Sequence, residues 1–504
     1  MANRNFQTTL FSTGARSQRP SPALVAQEAV RRFPRWALVA LSMTYVLTGF
    51  VGREPWRHED LAGFAQLFEL LGITETSWVI ARLVAALLLG LICLFTWYAT
   101  YYLARRDDAQ PIPFAFGGEA KPTDYAQAIA DGALLALIAC LGLAQIGHET
   151  SLALVQTVLI ALGFLGLAAY RYHAWQAALA LMLSSMGLFW LRRNGLFDTA
   201  QWSSWASWRS GLHMMAWFAW PAWALTALAL VKWRRHWLSL QPAAHILIPL
   251  VIVLTHVVLL PIATQPDRWF LGALPALATL AAFALPTLRR GMKSLIDLFT
   301  LLFFSGCALI IWVVWIAMQT GVPPQPAANV ARLLPALIPS FSAPVLLLAL
   351  GATAAWGFLV YWRLGRHRPA IWMSMVLPAG GAALCWALLM SLWLPLLDHA
   401  RSYKPLMTLV QQHIPLSPDA LANSPSQCLH IHGLNPAQQA ALRYYMHRPL
   451  APANRDEVCA WLISTSDAMP SLPDYVTAAR WQHLVTIRRP SDKNEDWFIY
   501  QRKP

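Results

Sequence analysis

Charge is scarce in this 504-residue chain, and acid scarcest: 24 Asp and Glu stand against 38 Lys and Arg, and charged residues make up only 12% of the whole. With 57% hydrophobic residues gathered in long runs, the chain is far more apolar than a soluble protein. No internal repeat is visible, which weighs against an inverted-repeat transporter. No cleavable signal peptide is apparent, since the first apolar run starts late and behaves as an anchor. Cysteine is sparse at six, and Cys93, Cys140, Cys307 and Cys385 lie inside apolar runs, where a thiol is a small buried group. No nucleophile constellation appears in the C-terminal part.

Long apolar stretches dominate instead. They recur at 37–51, 78–104, 125–146, 151–170, 174–191, 206–231, 243–263, 269–288, 294–319, 341–362 and 370–397. A helix needs roughly 20 apolar residues to cross the hydrocarbon core, so these runs predict an α-helical polytopic membrane protein with about eleven transmembrane helices. Barrel strands would alternate in polarity, and these runs do not.

The net charge of +14 is a matter of topology and not of nucleic acid, because the basic residues cluster at the ends of alternate spans. With a cytoplasmic N-terminus, the inside segments hold Arg31, Arg32 and Arg35; Arg105 and Arg106; Arg171; Lys232, Arg234 and Arg235; Arg289, Arg290 and Lys293; and Arg363, Arg366 and Arg368. The expected organisation is a disordered cytoplasmic tail (1–36), a membrane domain (37–398) with a first outside loop and interfacial helix (52–77), and an extracytoplasmic α/β domain (399–504). In that last part, Cys428 to His432 and Val458 to Ser464 read as strands. Asn435-Pro436 reads as a capped helix start, and Leu484 to Arg488 with Trp497 to Tyr500 as an antiparallel pair across the turn 490–494. Cys428 and Cys459 fall on the outside, where disulfides persist, and are predicted to be bridged; closing such a loop adds about 3–4 kcal/mol in the chain-entropy model.

The charged loop Gly52 to Asp60 (GREPWRHED) follows directly on the first span. Ionisable groups this dense at the mouth of a charge-poor membrane protein point to chemistry on a charged substrate. Beyond it, Leu61, Phe64, Ala65, Leu67, Phe68, Leu70 and Leu71 form the apolar face of a helix too short to span, as an interfacial helix would.

Four segments together resemble the C-superfamily membrane glycosyltransferases, most closely the lipid A aminoarabinose transferase and its protein mannosyltransferase relatives. Pro55 to Ala65 (PWRHEDLAGFA) looks like that family's acidic motif and interfacial helix. Leu181 to Gly195 (LMLSSMGLFWLRRNG) is similar to a small-residue helix ending in a basic residue and Gly. Trp217 to Trp223 (WFAWPAW) is similar to a Trp-Pro helix centre, and Arg268 to Ala278 (RWFLGALPALA) to an Arg/Lys-x-x-x-Tyr-x-Leu-Pro-type helix. The resemblance implies transfer of a sugar from a polyprenyl phosphate to a lipid, glycan or protein acceptor on the periplasmic face of a bacterial inner membrane. It also implies that the C-terminal domain covers the active-site mouth.

Such transfer needs a base for the acceptor proton and cations for the phosphate leaving group. Glu59 or Asp60 is the expected base. The phosphate is assigned to any two of Arg53, Arg57, Arg192, Arg193 and Arg268, because guanidinium forks match phosphate oxygens; Arg192 and Arg193 stand outside against the charge rule. His148 and Glu149, alone in a short turn between spans, are expected to position the acceptor or complete the acidic site. Trp56 and Trp269 neighbour the candidate charges and are the tryptophans expected to stack on sugar; most of the others read as interface belts, and Trp220 and Trp223, with Phe218, as helix packing. His58, Glu59, Asp60, His148 and Glu149 are of the kind that ligate a divalent cation, but no tight spacing such as His-x-x-x-His supports it, so no metal is assigned and a divalent cation stays open. Two rival readings remain: a transporter or flippase for a lipid-linked glycan, which predicts charges inside several spans, and a non-catalytic scaffold, in which Glu59 and Asp60 are replaceable.

Overall fold

Every apolar run of the sequence is helical, but several helices break inside their run. A computed structural model of the protein describes residues 25–30, 33–57, 59, 61–71, 78–112, 120–196, 205–239, 243–263, 265–334, 337, 339–364, 370–414, 428–446, 449–452, 459–471, 476, 480–489 and 495–503. The first run gives α1 (Arg35–Leu47), and the charged loop leads to α2 (Leu61–Leu70). Then come α3 (Trp78–Ala104), α4 (Pro122–Ala139), α5 (Leu141–Ile146), α6 (Leu152–Ala169), α7 (Ala174–Arg193), α8 (Trp205–Phe218), α9 (Ala222–Lys232) and α10 (Arg234–Trp237). The second half of the bundle is α11 (Ala244–Leu259), α12 (Pro266–Leu271), α13 (Leu274–Ala284), α14 (Arg290–Thr320), α15 (Pro324–Leu333), α16 (Ala343–Leu364) and α17 (Met373–Leu392). Two short helices, α18 (Leu394–Arg401) and α19 (Lys404–His413), lead out of it.

Among the described residues seven helices are long and apolar enough to cross a membrane: α3, α6, α7, α11 with its closing turn, α14, α16 and α17. An eighth is the pair α8 and α9, bent by 96° between Arg209–Phe218 and Ala222–Lys232. The bend falls at Pro221, which has no N–H to continue the helix and whose ring crowds the preceding turn. The expected Trp-Pro helix centre is therefore a helix break. The other three expected spans are the shorter α1 and α13 and the helix α4, which opens on the polar residues Thr123, Asp124 and Gln127.

Burial sorts the helices by what they face. In α17 78% of the apolar window is buried, against 11% in α16, so α17 is a core helix and α16 turns its large apolar side chains outward to lipid. The core helices α4 and α13 are rich in alanine and buried almost throughout, which lets helix backbones approach closely where lipid gives no hydrophobic drive for association. Gly381 of α17 shows how close: a Cβ there would sit 2.3 Å from the ring of Phe304 on α14. The protein is thus a polytopic helical membrane protein that ends in a small α/β domain.

That domain is a five-stranded mixed sheet in the order β2-β1-β3-β5-β4, where β1 is Leu429–His432, β2 Leu450–Pro452, β3 Trp461–Thr465, β4 Trp481–Arg488 and β5 Asp496–Arg502. Strand β1 pairs parallel with β2 and β3, and β5 pairs antiparallel with β3 and β4; the turn 490–494 and Val458 lie outside the described residues. The helix α20 (Pro436–Met446) starts with a reciprocal cap, Gln438 N–H donating to Asn435 Oδ1 at 2.9 Å and Asn435 N–H to Gln438 Oε1 at 2.9 Å. Cys428 and Cys459 form the expected disulfide, with Cα atoms 5.0 Å apart. The bridge ties the entries of β1 and β3, which the register Leu429 to Trp461 brings side by side. The sheet packs on Leu406, Met407 and Val410 of α19, and α20 packs on α2, so the domain sits over the bundle end that carries the charged loop.

Candidate active site

The charged loop begins where α1 ends. Gly49 takes a φ of +115°, which favours glycine, and its missing Cβ leaves room for the Trp386 ring, which a side chain would meet at 2.8 Å. The chain then turns back into the bundle. Arg53 is 3% exposed, and its Nη2 pairs with the Glu59 carboxylate and donates to the His148 carbonyl at 2.9 Å. Glu59, 2% exposed, is held by a turn in which its N–H donates to the Trp56 carbonyl at 2.9 Å.

A second ion pair sits beside the first. Glu149, in the turn between α5 and α6, accepts from Arg268 Nη2 at 3.3 Å, and Arg268 is placed by α12, its N–H capped by Asp267 Oδ1 at 2.9 Å. A third cation comes from α3: Arg82 donates to the Phe50 carbonyl at 3.3 Å and lies 4.6 Å from the Trp78 ring. Among the described residues, Arg53 Nε and Nη1, Glu59 Oε2, and Arg82 Nε and Nη2 are buried without a hydrogen-bond partner, as are the Thr150 and Ser151 hydroxyls. Buried polar groups are ordinarily paired, so a cluster of unpaired ones marks a place built for something other than folding.

Burial raises the Glu59 carboxyl to a pKa of about 7, against the opposing pull of Arg53 and then Arg82; nearby Glu149 pushes in the same direction as burial. Burial also raises Glu149, with Arg268 and Arg53 opposing. Desolvation thus holds the Glu59 carboxyl well above the ordinary carboxylate range even with two guanidiniums beside it.

Other expected residues have different places. His148 is fully buried, with Nδ1 2.9 Å from the Ala144 carbonyl and Nε2 2.8 Å from the Tyr45 carbonyl, inside a cage of Tyr45, Phe50 and Trp386 rings. Burial lowers its pKa to about 4 against the two carbonyls, which favour the charged ring, and it is the His148 carbonyl, not the ring, that meets Arg53. Trp56 is buried, with the Arg53 guanidinium 4.3 Å from its ring centre. Arg57 is half-buried, and its N–H donates to the Arg401 carbonyl at 2.8 Å. Trp269 lies against His256, to whose carbonyl it donates at 3.1 Å. Arg192 and Arg193 are exposed at the end of α7 and form no ion pair among the described residues. The structure thus brings together Arg53, Trp56, Glu59, Glu149 and Arg268 and leaves Arg192, Arg193 and Trp269 apart. Asp60 and His58 lie outside the described residues, and no group of three or more His, Cys, Asp and Glu with metal-like geometry occurs among those described.

Three residues of this end were missed from sequence. Arg82 was signalled by being a charge inside an apolar run. Asp398 and Arg401 follow the last span in a stretch that resembled a polar linker; Asp398 accepts from Trp56 Nε1 at 2.8 Å and from the Glu54 N–H at 3.3 Å, and burial raises its pKa to about 6.

No protein-family profile matches the chain, and no curated protein matches it. Two solved structures are similar to it over most of its length. One is the crystal structure of ArnT from Cupriavidus metallidurans in the apo state: 12% sequence identity, 95% of this chain and 94% of that chain covered, TM-score 0.48. The other is ArnT from the same organism bound to undecaprenyl phosphate: 13% identity, 92% and 97% covered, TM-score 0.43. ArnT is a lipid A aminoarabinose transferase.

Proposed function

We propose that the protein is a glycosyltransferase that moves a sugar from a polyprenyl-phosphate donor to a lipid, glycan or protein acceptor on the periplasmic face of the inner membrane. The observation that carries this reading is a buried glutamate, Glu59, with an unpartnered oxygen, paired with Arg53 and close to Arg82, where burial pushes its carboxyl up. Ionised Glu59 takes the acceptor O–H proton as that oxygen forms a bond to the anomeric carbon. The bond from that carbon to the phosphate oxygen breaks, and its electron pair leaves on the polyprenyl phosphate. Arg53 and Arg82, with free N–H groups, and Arg268 hold the phosphate as this charge develops. Direct displacement inverts the anomeric configuration.

An apolar groove of about 660 Å³ between α1, α3 and α4 supports a long-chain donor. It is lined by Leu38, Val46, Leu87 and Leu94 and reaches Leu47 and Leu83, one residue from Arg82. The buried charges also fit a flippase for a lipid-linked glycan, which needs no carboxylate with an unpartnered oxygen beside the phosphate-binding cations.

The test is transfer of radiolabelled sugar from undecaprenyl-phosphate-linked donors in membranes carrying the wild type, Glu59→Gln, Asp60→Asn or both. Loss with Glu59→Gln at normal protein level is expected. Transfer surviving the double change overturns the mechanism and favours the flippase or the scaffold.

A further inference from the structure

The segment Arg53 to Arg57 carries the central cation of the site, yet it has no regular structure of its own and is held from a distance. Both oxygens of one carboxylate do much of the holding. Asp398 Oδ1 accepts from Trp56 Nε1 at 2.8 Å and Oδ2 from the Glu54 N–H at 3.3 Å, contacts that link residues more than 340 positions apart in the chain. Arg401, one turn further along α18, lays its guanidinium 4.9 Å from the centre of the same indole, against which Arg53 already lies at 4.3 Å. The backbone continues the grip: Trp56 forms a β-bridge with Ser402, and the Arg57 N–H donates to the Arg401 carbonyl at 2.8 Å.

The far end of this strap is tied to the sheet domain. Arg489, its side chain 1% exposed, donates to the Ala400 and Ser402 carbonyls at 3.2 Å each, pairs with Glu495 at 2.9 Å and lies over the Tyr403 ring. Glu54 is gripped directly, by Lys404 Nζ at 2.8 Å and by the Tyr445 hydroxyl of α20 at 3.1 Å.

We propose that Asp398 is a positioning residue of the active site: by fixing the Trp56 indole it sets where the Arg53 guanidinium lies and, through Arg53, where the Glu59 carboxyl points. Its own hydrogen bonds go to Trp56 and Glu54, so it acts at one remove from the chemistry. A carboxylate suits this task because it accepts from an indole N–H and a backbone N–H at once. An amide must turn its NH₂ towards one of those donors. The kinetic part of the proposal rests on Glu59 being the base; the structural part does not.

The experiment uses the full chain in nanodiscs, as wild type, Asp398→Asn, Asp398→Glu, Trp56→Phe and the double variant Asp398→Asn with Trp56→Phe. Amide hydrogen exchange of the peptide covering residues 53–57 is measured alongside transfer from undecaprenyl-phosphate-linked radiolabelled sugar. Asp398→Asn is expected to speed exchange in that peptide about tenfold, since those amides lose their anchor. It is also expected to lower kcat about 10- to 100-fold with KM within twofold, as displacement of a catalytic group costs rate more than binding. The double variant falls no further than the worse single one, because both changes cut the same linkage. Asp398→Glu recovers part of the loss. Unchanged exchange in Asp398→Asn overturns the proposal, as does a double variant whose loss is the product of the two single losses. If the wild type transfers no sugar, the glycosyltransferase reading fails by itself, and the exchange result still decides whether Asp398 holds the loop.

Discussion

Two arginine–carboxylate pairs in this protein share the same chemistry and have opposite properties. On the sheet domain, Arg488 grips Asp496 at the surface with two parallel hydrogen bonds of 2.7 and 2.9 Å, the arginine exposed and the carboxylate half-buried, and the bonds from Arg488 pull the Asp496 carboxyl below its ordinary range. At the mouth of the bundle, Arg53 meets Glu59 through a single nitrogen with both side chains fully buried, and the Glu59 carboxyl is pushed up to about 7. By geometry alone the exposed pair is the better salt bridge. The difference is desolvation: ionising a carboxyl away from water costs more than one guanidinium returns, whereas water already solvates the exposed pair. A salt bridge is therefore read as structure or as chemistry from its surroundings, not from its bond lengths.

The comparison breaks first at Glu59. Glu59→Gln is expected to cut transfer at least about 100-fold while protein level holds, the scale on which a general base contributes. Comparable loss from Asp496→Asn would end the distinction between the pairs. Next comes the partner: Arg53→Gln leaves Glu59 buried and uncompensated, which costs about 3–5 kcal/mol where such pairs are broken. The surviving protein is expected to keep Glu59 protonated at neutral pH, so the transfer-against-pH curve moves to higher pH.

The disulfide follows in size. Replacing Cys428 and Cys459 by Ser is expected to lower the stability of the sheet domain by about 3–4 kcal/mol, read as its melting point in detergent, while leaving Glu59 buried.

The pH profile sharpens the contrast with a smaller effect. Transfer by the wild type is expected to rise with pH through about 7, as Glu59 loses its proton. Stability runs the other way for this group. Its folded pKa is raised above the ordinary value of 4.5, so between about 4.5 and 7 the folded state binds more protons than the unfolded one, and stability falls as pH rises through that window. His148 has the opposite sign, lowered from 6.5 to about 4, and its contribution is lost as pH falls through that range. Smallest of all, Asp496→Asn is expected to leave transfer and the melting point unchanged, since an exposed pair contributes little.

Much of this was legible without coordinates. Each apolar run became helix, because hydropathy over some twenty residues is a local property that lipid enforces. The α20 cap at Asn435 and Gln438 and the strand before it also follow from short-range pattern, and the Cys428–Cys459 bridge joins the two cysteines that lie outside the apolar runs. The charged loop was recognisable by its density of charge, and with it Arg53, Trp56 and Glu59. What the sequence did not show was surroundings. Arg192 and Arg193, read as phosphate ligands because they break the charge rule, are exposed at the end of α7, and the ring of His148, read as an acceptor ligand, is caged by aromatic rings.

The sequence by itself determined that the chain crosses a membrane many times, that a small bridged domain follows, and that one loop concentrates charge. Only the tertiary structure decided which charges meet one another. Arg82 reaches the loop through the Phe50 carbonyl, Glu149 meets Arg268 across 119 positions, and Asp398 anchors Trp56 across 342. The physical reason is that the pKa and partnership of an ionisable group are set by what surrounds it within a few ångströms, and in a bundle of packed helices those neighbours come from the whole length of the chain.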